Sequence, residues 1–284
     1  MKSIFTYTQK NKIKKLAIGN FDGFHLGHLE LFKHLNKFDS ALLVIDKDLD
    51  NKLSPKDKML ELSILPLIFV DFDSIKDLEG EVFLNILKDE FKNLNTLIIG
   101  EDFKCGKNRA FGAVDIKKYI NTIIIKEFKI NQIGVHSSII KDFLSKGLIQ
   151  EANTFLGRFY AIKGQVIKGQ GLGKKEIFAT FNLKIKDYFI PKYGVWVSLC
   201  KIKDKYLKSL TFIGLRSTDN NFSIETHIID DNFVDGDYLG YIFDLQFIYF
   251  LRENQKYDDL ALLKEQITKD RLKALDILKD INER

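Results

Sequence analysis

Cysteine is nearly absent from this chain, with Cys105 and Cys200 its only examples in 284 residues. Two thiols cannot make a disulfide framework or a four-thiolate metal site, so the sequence predicts a fold held by its own core in a reducing cytoplasm. Long apolar runs are missing too. The basic start, MKSIFTYTQKNKIKK, leads only into the short stretch LAIG, and no later run approaches the roughly 18 to 20 apolar residues that cross a bilayer, so no export and no membrane anchor are expected. Proline is scarce, at three residues, and no stretch is dominated by proline, glycine or serine, which excludes a disordered low-complexity linker. Charge of one sign is also lacking. The 44 basic and 39 acidic side chains leave a net +5, and the lysines are scattered among acids, an arrangement that does little for nucleic-acid binding but suits phosphate-bearing small molecules.

What is present is 45% hydrophobic and 29% charged, enough for a core and a solvated surface, over a length that accommodates two domains. Apolar strand candidates at Leu16–Gly19, Ala41–Ile45, Leu67–Val70, Thr96–Gly100 and Thr122–Ile125 alternate with helix-like stretches such as Glu81–Phe91. This alternation predicts a mainly parallel, helix-covered α/β sheet. After Leu156 the pattern changes to Phe159–Lys168, Tyr193–Lys201, Leu207–Gly214, Phe222–Ile229 and Leu239–Phe250, β-rich segments separated by short turns. Short connections predict an antiparallel β-barrel, and Leu260, Leu263, Ile267, Ala274 and Leu278 mark a final helix across it. The expected division is therefore 1–156 and 157–284.

The decapeptide GNFDGFHLGH follows the first predicted strand. Gly19, Gly23 and Gly27 permit tight turns and close backbone approach, and His25 and His28, three residues apart near a helix start, can both donate to phosphate oxygens. Structural histidines, or a zinc site that includes Asp22, are the alternatives. In the second half, KGQGLGKK offers Gly169, Gly171 and Gly173 as a flexible loop with Lys174 and Lys175 as phosphate contacts, or else as an ordinary barrel turn. Thr180 and Asn182, two apart on extended chain, point the same way and can help hold Mg²⁺ and ATP. Glu225, on one strand face with His227, can accept an alcohol proton, although a strand glutamate is also commonly solvent-facing.

GNFDGFHLGH closely resembles the GxFDGxHxGH signature of bacterial FMN adenylyltransferase, the first module of bifunctional riboflavin kinase/FAD synthetase. IIGEDFKCGKNRAFG and HSSIIK resemble two further segments of that module, the latter its SSTxIR element. FYAIKGQV, ATFNL, IPKYGVWV, FIGLRST, IETHIID and FLRENQKYDDLALLKEQITKD resemble successive segments of riboflavin kinase. The resemblance implies an HxGH nucleotidyltransferase α/β domain followed by a riboflavin-kinase-like barrel with a C-terminal helix. It places Asn20, Asp22, His25 and His28 at an ATP site, Ser137, Ser138 and Lys141 on a triphosphate-binding segment, and Asp102, Phe103 and Lys104 near a flavin cleft. It also carries threonine and asparagine roles onto Thr180 and Asn182, the catalytic glutamate onto Glu225, the glycine-loop arginine onto Lys174, and an LR element onto Arg252.

Several positions depart from the family pattern. Lys141 stands where the family has arginine, which keeps charge but loses a planar fork of donors. The histidine-proline segment after the second strand is missing. Ile177, Ala179 and Phe181 replace glycine, proline and alanine around the threonine. The implied activity is conversion of riboflavin to FMN and of FMN to FAD, with ATP as co-substrate and Mg²⁺. A monofunctional FMN adenylyltransferase with a degenerate barrel, and a nonenzymatic flavin-binding or scaffolding protein, are the competing readings. Small molecules are the expected partners, with no nucleic acid, membrane or obligate protein partner.

Overall fold

The computed structural model describes residues 9–47, 50–168, 180–216, 221–231, 233–234, 236–257, 259–279 and 281. The chain divides into two compact units, Met1–Ile139 and Ile140–Arg284. Among the described residues no helix is long and apolar enough to cross a membrane.

In the first unit, β1 (Lys15–Gly19), β2 (Ser40–Asp46), β3 (Leu67–Asp71), β4 (Thr96–Gly100) and β7 (Asn121–Ile125) form a parallel sheet in the order β3-β2-β1-β4-β7. Successive side chains on a strand point to opposite faces. Leu16, Ile18, Leu43, Val70 and Ile99 therefore enter one core, while Ala17, Leu42, Val44 and Ile98 enter another. Burial on both faces explains why these strands read as continuous apolar runs. The helices are α1 (Leu26–Phe32), α2 (Lys56–Leu62), α3 (Gly80–Glu90) and the short α4 (Ala113–Ile116). Two ribbons the sequence did not mark, β5 (Lys104–Cys105) with β6 (Phe111–Gly112) and β8 (Lys129–Ile130) with β9 (Ile133–Gly134), follow β4 and β7. Gly80 at the start of α3 carries the Phe111 ring, since a Cβ there would lie 2.2 Å from it.

The strand order reverses direction at β1 and β4. In an open parallel sheet the loops leaving the carboxyl ends of two such strands diverge and leave a crevice. The loops concerned are the one carrying GNFDGFHLGH and the one after Gly100.

The unit boundary falls within α5 (Ser137–Lys146). Helix α6 (Ile149–Leu156) ends at Gly157, whose φ of 71° makes the left-handed cap that glycine adopts without strain. The barrel then closes through β10 (Tyr160–Ile167), β11 (Phe181–Ile185), β14 (Phe222–Ile228), β13 (Lys205–Leu215), β12 (Gly194–Ile202) and β15 (Ile242–Arg252), in that spatial order. All neighbours run antiparallel. β11 is a strand the sequence did not mark. Trp196, Tyr160, Phe243 and Phe247 are fully buried, and the Trp196 indole donates to the Lys192 carbonyl at 3.0 Å. Ser198, Ser209, Thr211 and Thr226 are also fully buried, but their hydroxyls bond one another at 2.8 to 3.0 Å, so none carries a desolvation penalty uncompensated. The C-terminal helix, Leu260–Ile277, packs on β13 and buries Ala274, with Leu278 beyond its end.

Candidate functional site

After Gly19 the chain turns sharply, with Phe21 at φ 53°, Gly23 at φ 90° and Phe24 at φ 42°. Each left-handed phenylalanine costs about 1 kcal/mol. Burial offsets that cost: Phe21 and Phe24 meet each other and Phe32 edge-on, at 5.4 to 6.4 Å between ring centres. The turn delivers His25 to the position just before α1 and His28 to its first turn. Their rings stack at 3.6 Å with 17° between planes, and the edge of Phe21 meets His28 at 5.2 Å. Gly27 is required for this approach. A Cβ there would lie 3.0 Å from the Val135 carbonyl oxygen and 3.2 Å from His25 Nδ1.

A cavity of about 860 Å³ opens at this place. It brings together Asn20, His25 and His28 from the first loop, Asp102, Phe103 and Lys104 from the loop after β4, and Ser137 from the start of α5. Asp22 is not among its lining residues. Its carboxylate accepts from Ser54 N at 3.0 Å and its carbonyl accepts from the Ser137 hydroxyl at 2.7 Å, so this buried residue ties three segments together. Ser138 is exposed, and the Lys141 ammonium stands over the Phe189 ring at 5.9 Å. The zinc alternative lacks a donor set, because stacked imidazoles do not converge on one centre. Among the described residues no three His, Cys, Asp or Glu side chains are grouped to hold a metal.

Sequence reasoning missed His136 as a cavity residue. Its Nε2 bonds Glu127 at 2.7 Å, and Lys129 reaches the same carboxylate at 3.0 Å. The His136 hydrogen bond, followed by that of Lys129, holds the Glu127 carboxyl below its usual range. Cys105 also lines the cavity, but burial pushes its thiol up to about 11, which keeps it protonated near neutrality and unsuited to nucleophilic work.

The second candidate site lies on the barrel. Asn182 on β11 pairs with Glu225 on β14, which places both side chains on one face. The Ser223 hydroxyl donates to Glu225 Oε1 at 2.7 Å, and the Thr180 hydroxyl stands 3.5 Å from Oε2. Thr180, Asn182 and Glu225 are thus gathered as expected. Ser223 is an addition, and its signal was present: a hydroxyl two residues before the glutamate on a strand shares its face. A cavity of about 540 Å³ takes in Asn182 and Ser223. Phe181 packs its ring edge-on against Phe233, Tyr238 and Phe243 at 5.2 to 5.9 Å, so the large side chain that departs from the family pattern has a place in the core. Lys174, with Gly169, Gly171, Gly173, Lys175, Ile177 and Ala179, lies outside the described residues.

Arg252 is engaged elsewhere. Its guanidinium grips Asp270 of the C-terminal helix through Nε at 2.9 Å and Nη2 at 2.8 Å, and Gln266 donates to the same carboxylate at 2.8 Å. Asp270 is 4% exposed, so removing its cation leaves a buried charge poorly compensated. Arg252→Ala is expected to destabilise the second unit by about 2 to 3 kcal/mol. A fall in the urea midpoint of its unfolding checks this, and an unchanged midpoint refutes it.

Comparisons agree with this geometry. A riboflavin kinase (flavokinase) family model matches residues 156–278, and an FAD synthetase family model matches residues 7–45. A bifunctional riboflavin kinase/FMN adenylyltransferase of Buchnera aphidicola from Acyrthosiphon pisum is 27% identical, with 95% of each chain covered. One from Listeria monocytogenes is 26% identical over 93% of this chain and 91% of its own. Among solved structures, a Streptococcus pneumoniae protein described as a macrolide-efflux protein superposes with a TM-score of 0.81, covering 93% of this chain and 96% of its own. At 22% identity that likeness speaks for the fold alone. Two family models fall in order along the two units, and over nearly its whole length this chain is similar to bifunctional riboflavin kinase/FMN adenylyltransferases.

Proposed function

We propose that the barrel transfers the γ-phosphoryl group of ATP to riboflavin, giving FMN and ADP, and that the α/β unit joins FMN to the AMP portion of a second ATP, giving FAD and pyrophosphate. The observation that carries this reading is the chemical difference between the two cavities. An alcohol must lose a proton to attack phosphorus, and the second site offers the Glu225 carboxylate, oriented by Ser223. A phosphate nucleophile is already ionised and needs donors that neutralise charge on the reacting phosphorus and the departing pyrophosphate. The first site offers His25 and His28.

In the first reaction, Glu225 takes the proton of the riboflavin alcohol as its oxygen bonds to the γ-phosphorus and the bond to the ADP oxygen breaks. In the second, an FMN phosphate oxygen bonds to the α-phosphorus and pyrophosphate leaves. His25 and His28 donate to the oxygens that gain charge, Asn20 helps bind the nucleotide, and Asp22 acts indirectly by fixing the turn and Ser137. Asp102, Phe103 and Lys104 border the flavin side of the first cavity. Lys141 and Ser138 belong to the triphosphate segment by motif, and Lys174 to the glycine-rich kinase motif.

Mg²⁺ binds few protein oxygens and completes its shell with phosphate and water. The Thr180 hydroxyl beside Glu225 and the Asn182 side-chain oxygen are hard donors that fit this chemistry, and the ion would neutralise phosphate charge there. We place the division between the two activities at Leu156 and Gly157, where α6 ends. Purified protein given riboflavin, ATP and Mg²⁺ is expected to make both FMN and FAD. Chromatography of products from riboflavin and from FMN, supplied separately, is the test. FAD from FMN alone would leave only the adenylyltransferase reading, and neither product from folded protein would overturn both.

A further inference from the structure

The cavity that takes in Asn182 and Ser223 is also lined by Lys168, Lys184 and Arg216, and among the described residues no carboxylate lines it. Such a lining favours a polyanion. Of the three cations only arginine offers a planar fork that matches two phosphate oxygens at once.

Strand register gives Arg216 its direction. The residue stands just beyond β13, and its backbone N–H donates to the Asn221 carbonyl at 2.9 Å, extending the β13–β14 ladder past the Leu215–Phe222 pair. Opposed residues of an antiparallel pair share a face, as do alternate residues along a strand. Phe212 faces Glu225 and Gly214 faces Ser223, so Arg216 belongs to the row that carries Ser223 and Glu225, with Asn182 beside them on β11.

The position between Phe212 and Arg216 is glycine, so β13 places no side chain between Arg216 and Ser223. Gly214 is also where the Asn254 amide packs. A Cβ would lie 2.1 Å from Asn254 Nδ2, which donates to the Ile213 carbonyl at 3.0 Å and so anchors the strand end that bears Arg216. Four residues of strand, roughly 13 Å, separate the level of Glu225 from that of Arg216. A nucleoside triphosphate tail and an extended arginine stem can share that span, with the attacked phosphorus at the glutamate end.

We propose that Arg216 is a phosphate-binding residue of the kinase reaction, holding the β- and γ-phosphates of ATP and stabilising the charge that builds on them as the phosphoryl group moves. This rests on the kinase reading of the barrel. Phosphoryl transfer passes through a loose transition state with charge spread over the phosphate oxygens, where a bidentate cation acts most strongly.

The test uses the full chain with riboflavin, ATP and Mg²⁺. Arg216→Ala is expected to lower kcat for FMN formation about 100-fold, and Arg216→Lys about tenfold, because an ammonium keeps the charge without the fork. The KM for riboflavin and the rate of FAD formation from FMN should stay near wild type. Quenching of riboflavin fluorescence by each variant reports a folded barrel. A wild-type kcat in either variant overturns the assignment while leaving the kinase reading standing. An R216A barrel that has lost riboflavin binding, together with an R216K barrel at the wild-type rate, shows a structural role and overturns it too. A wild-type protein that makes no FMN overturns the kinase reading and this assignment with it.

Discussion

His28→Ala is expected to lower the rate of FAD formation from FMN about 10²- to 10³-fold, the loss that follows removal of one aligned donor to a developing phosphate charge. The geometry says why the effect should fall on the chemical step. Stacked on His25 at 3.6 Å and held edge-on by Phe21 at 5.2 Å, the imidazole is fixed before substrate arrives. A donor fixed in advance spends no energy reorganising as charge builds. Its loss should therefore appear in kcat more than in the KM for ATP. Phosphorylation of riboflavin by the same variant should remain near wild type, since His28 belongs to the other unit. Equal steady-state rates for H28A and wild type with FMN, ATP and Mg²⁺ would remove His28 from the reaction.

Much of this arrangement was legible in the sequence, for reasons that can be named. The parallel strands are buried on both faces, so continuous runs such as ALLVI and TLIIG stand out and their predicted bounds lie within a residue of those observed. β11 escaped because it is short, follows the glycine-rich sequence KGQGLGKK, and alternates Leu183 and Ile185 with lysines, a composition that signals strand weakly. The C-terminal helix was marked by Ile267, Ala274 and Leu278, yet the same face also buries Asp270, a residue that apolar periodicity passes over. Its partner Arg252 explains the exception, and pairing across that many residues leaves no periodic trace.

The site divides in the same way. Spacing brought His25 to His28 and Thr180 to Asn182 because both pairs are local. Strand order, which sets the loop of Gly19 beside that of Gly100 and Asn182 opposite Glu225, is a long-range property no local pattern encodes. Asp22 shows a further limit. The motif places it at the ATP site, but its hydrogen bonds to Ser54 and Ser137, which brace the turn that presents the histidines, join distant segments and leave no local trace.

Glu225→Gln is expected to reduce conversion of riboflavin to FMN about 10³-fold or more, within the range attributed to a positioned general base. The substitution is close to isosteric, and the local bonds favour its acceptance. Ser223 can still donate to the remaining amide oxygen, as it does to Oε1 at 2.7 Å, while the new amide faces Thr180 at the place now held by Oε2, 3.5 Å from its hydroxyl. Glutamine keeps the shape but cannot take up the alcohol proton. Riboflavin binding should survive, and supplied FMN should still be converted to FAD at a substantial rate. That pattern separates a missing base from an unfolded barrel, which would lose riboflavin binding as well. A wild-type rate of riboflavin phosphorylation by E225Q would show that the proton goes elsewhere. If wild-type protein itself makes FAD from FMN but no FMN from riboflavin, the replacements at Ile177 and Ala179 become the leading cause, because isoleucine and alanine do not reproduce the backbone freedom of glycine or the fixed φ of proline beside Thr180.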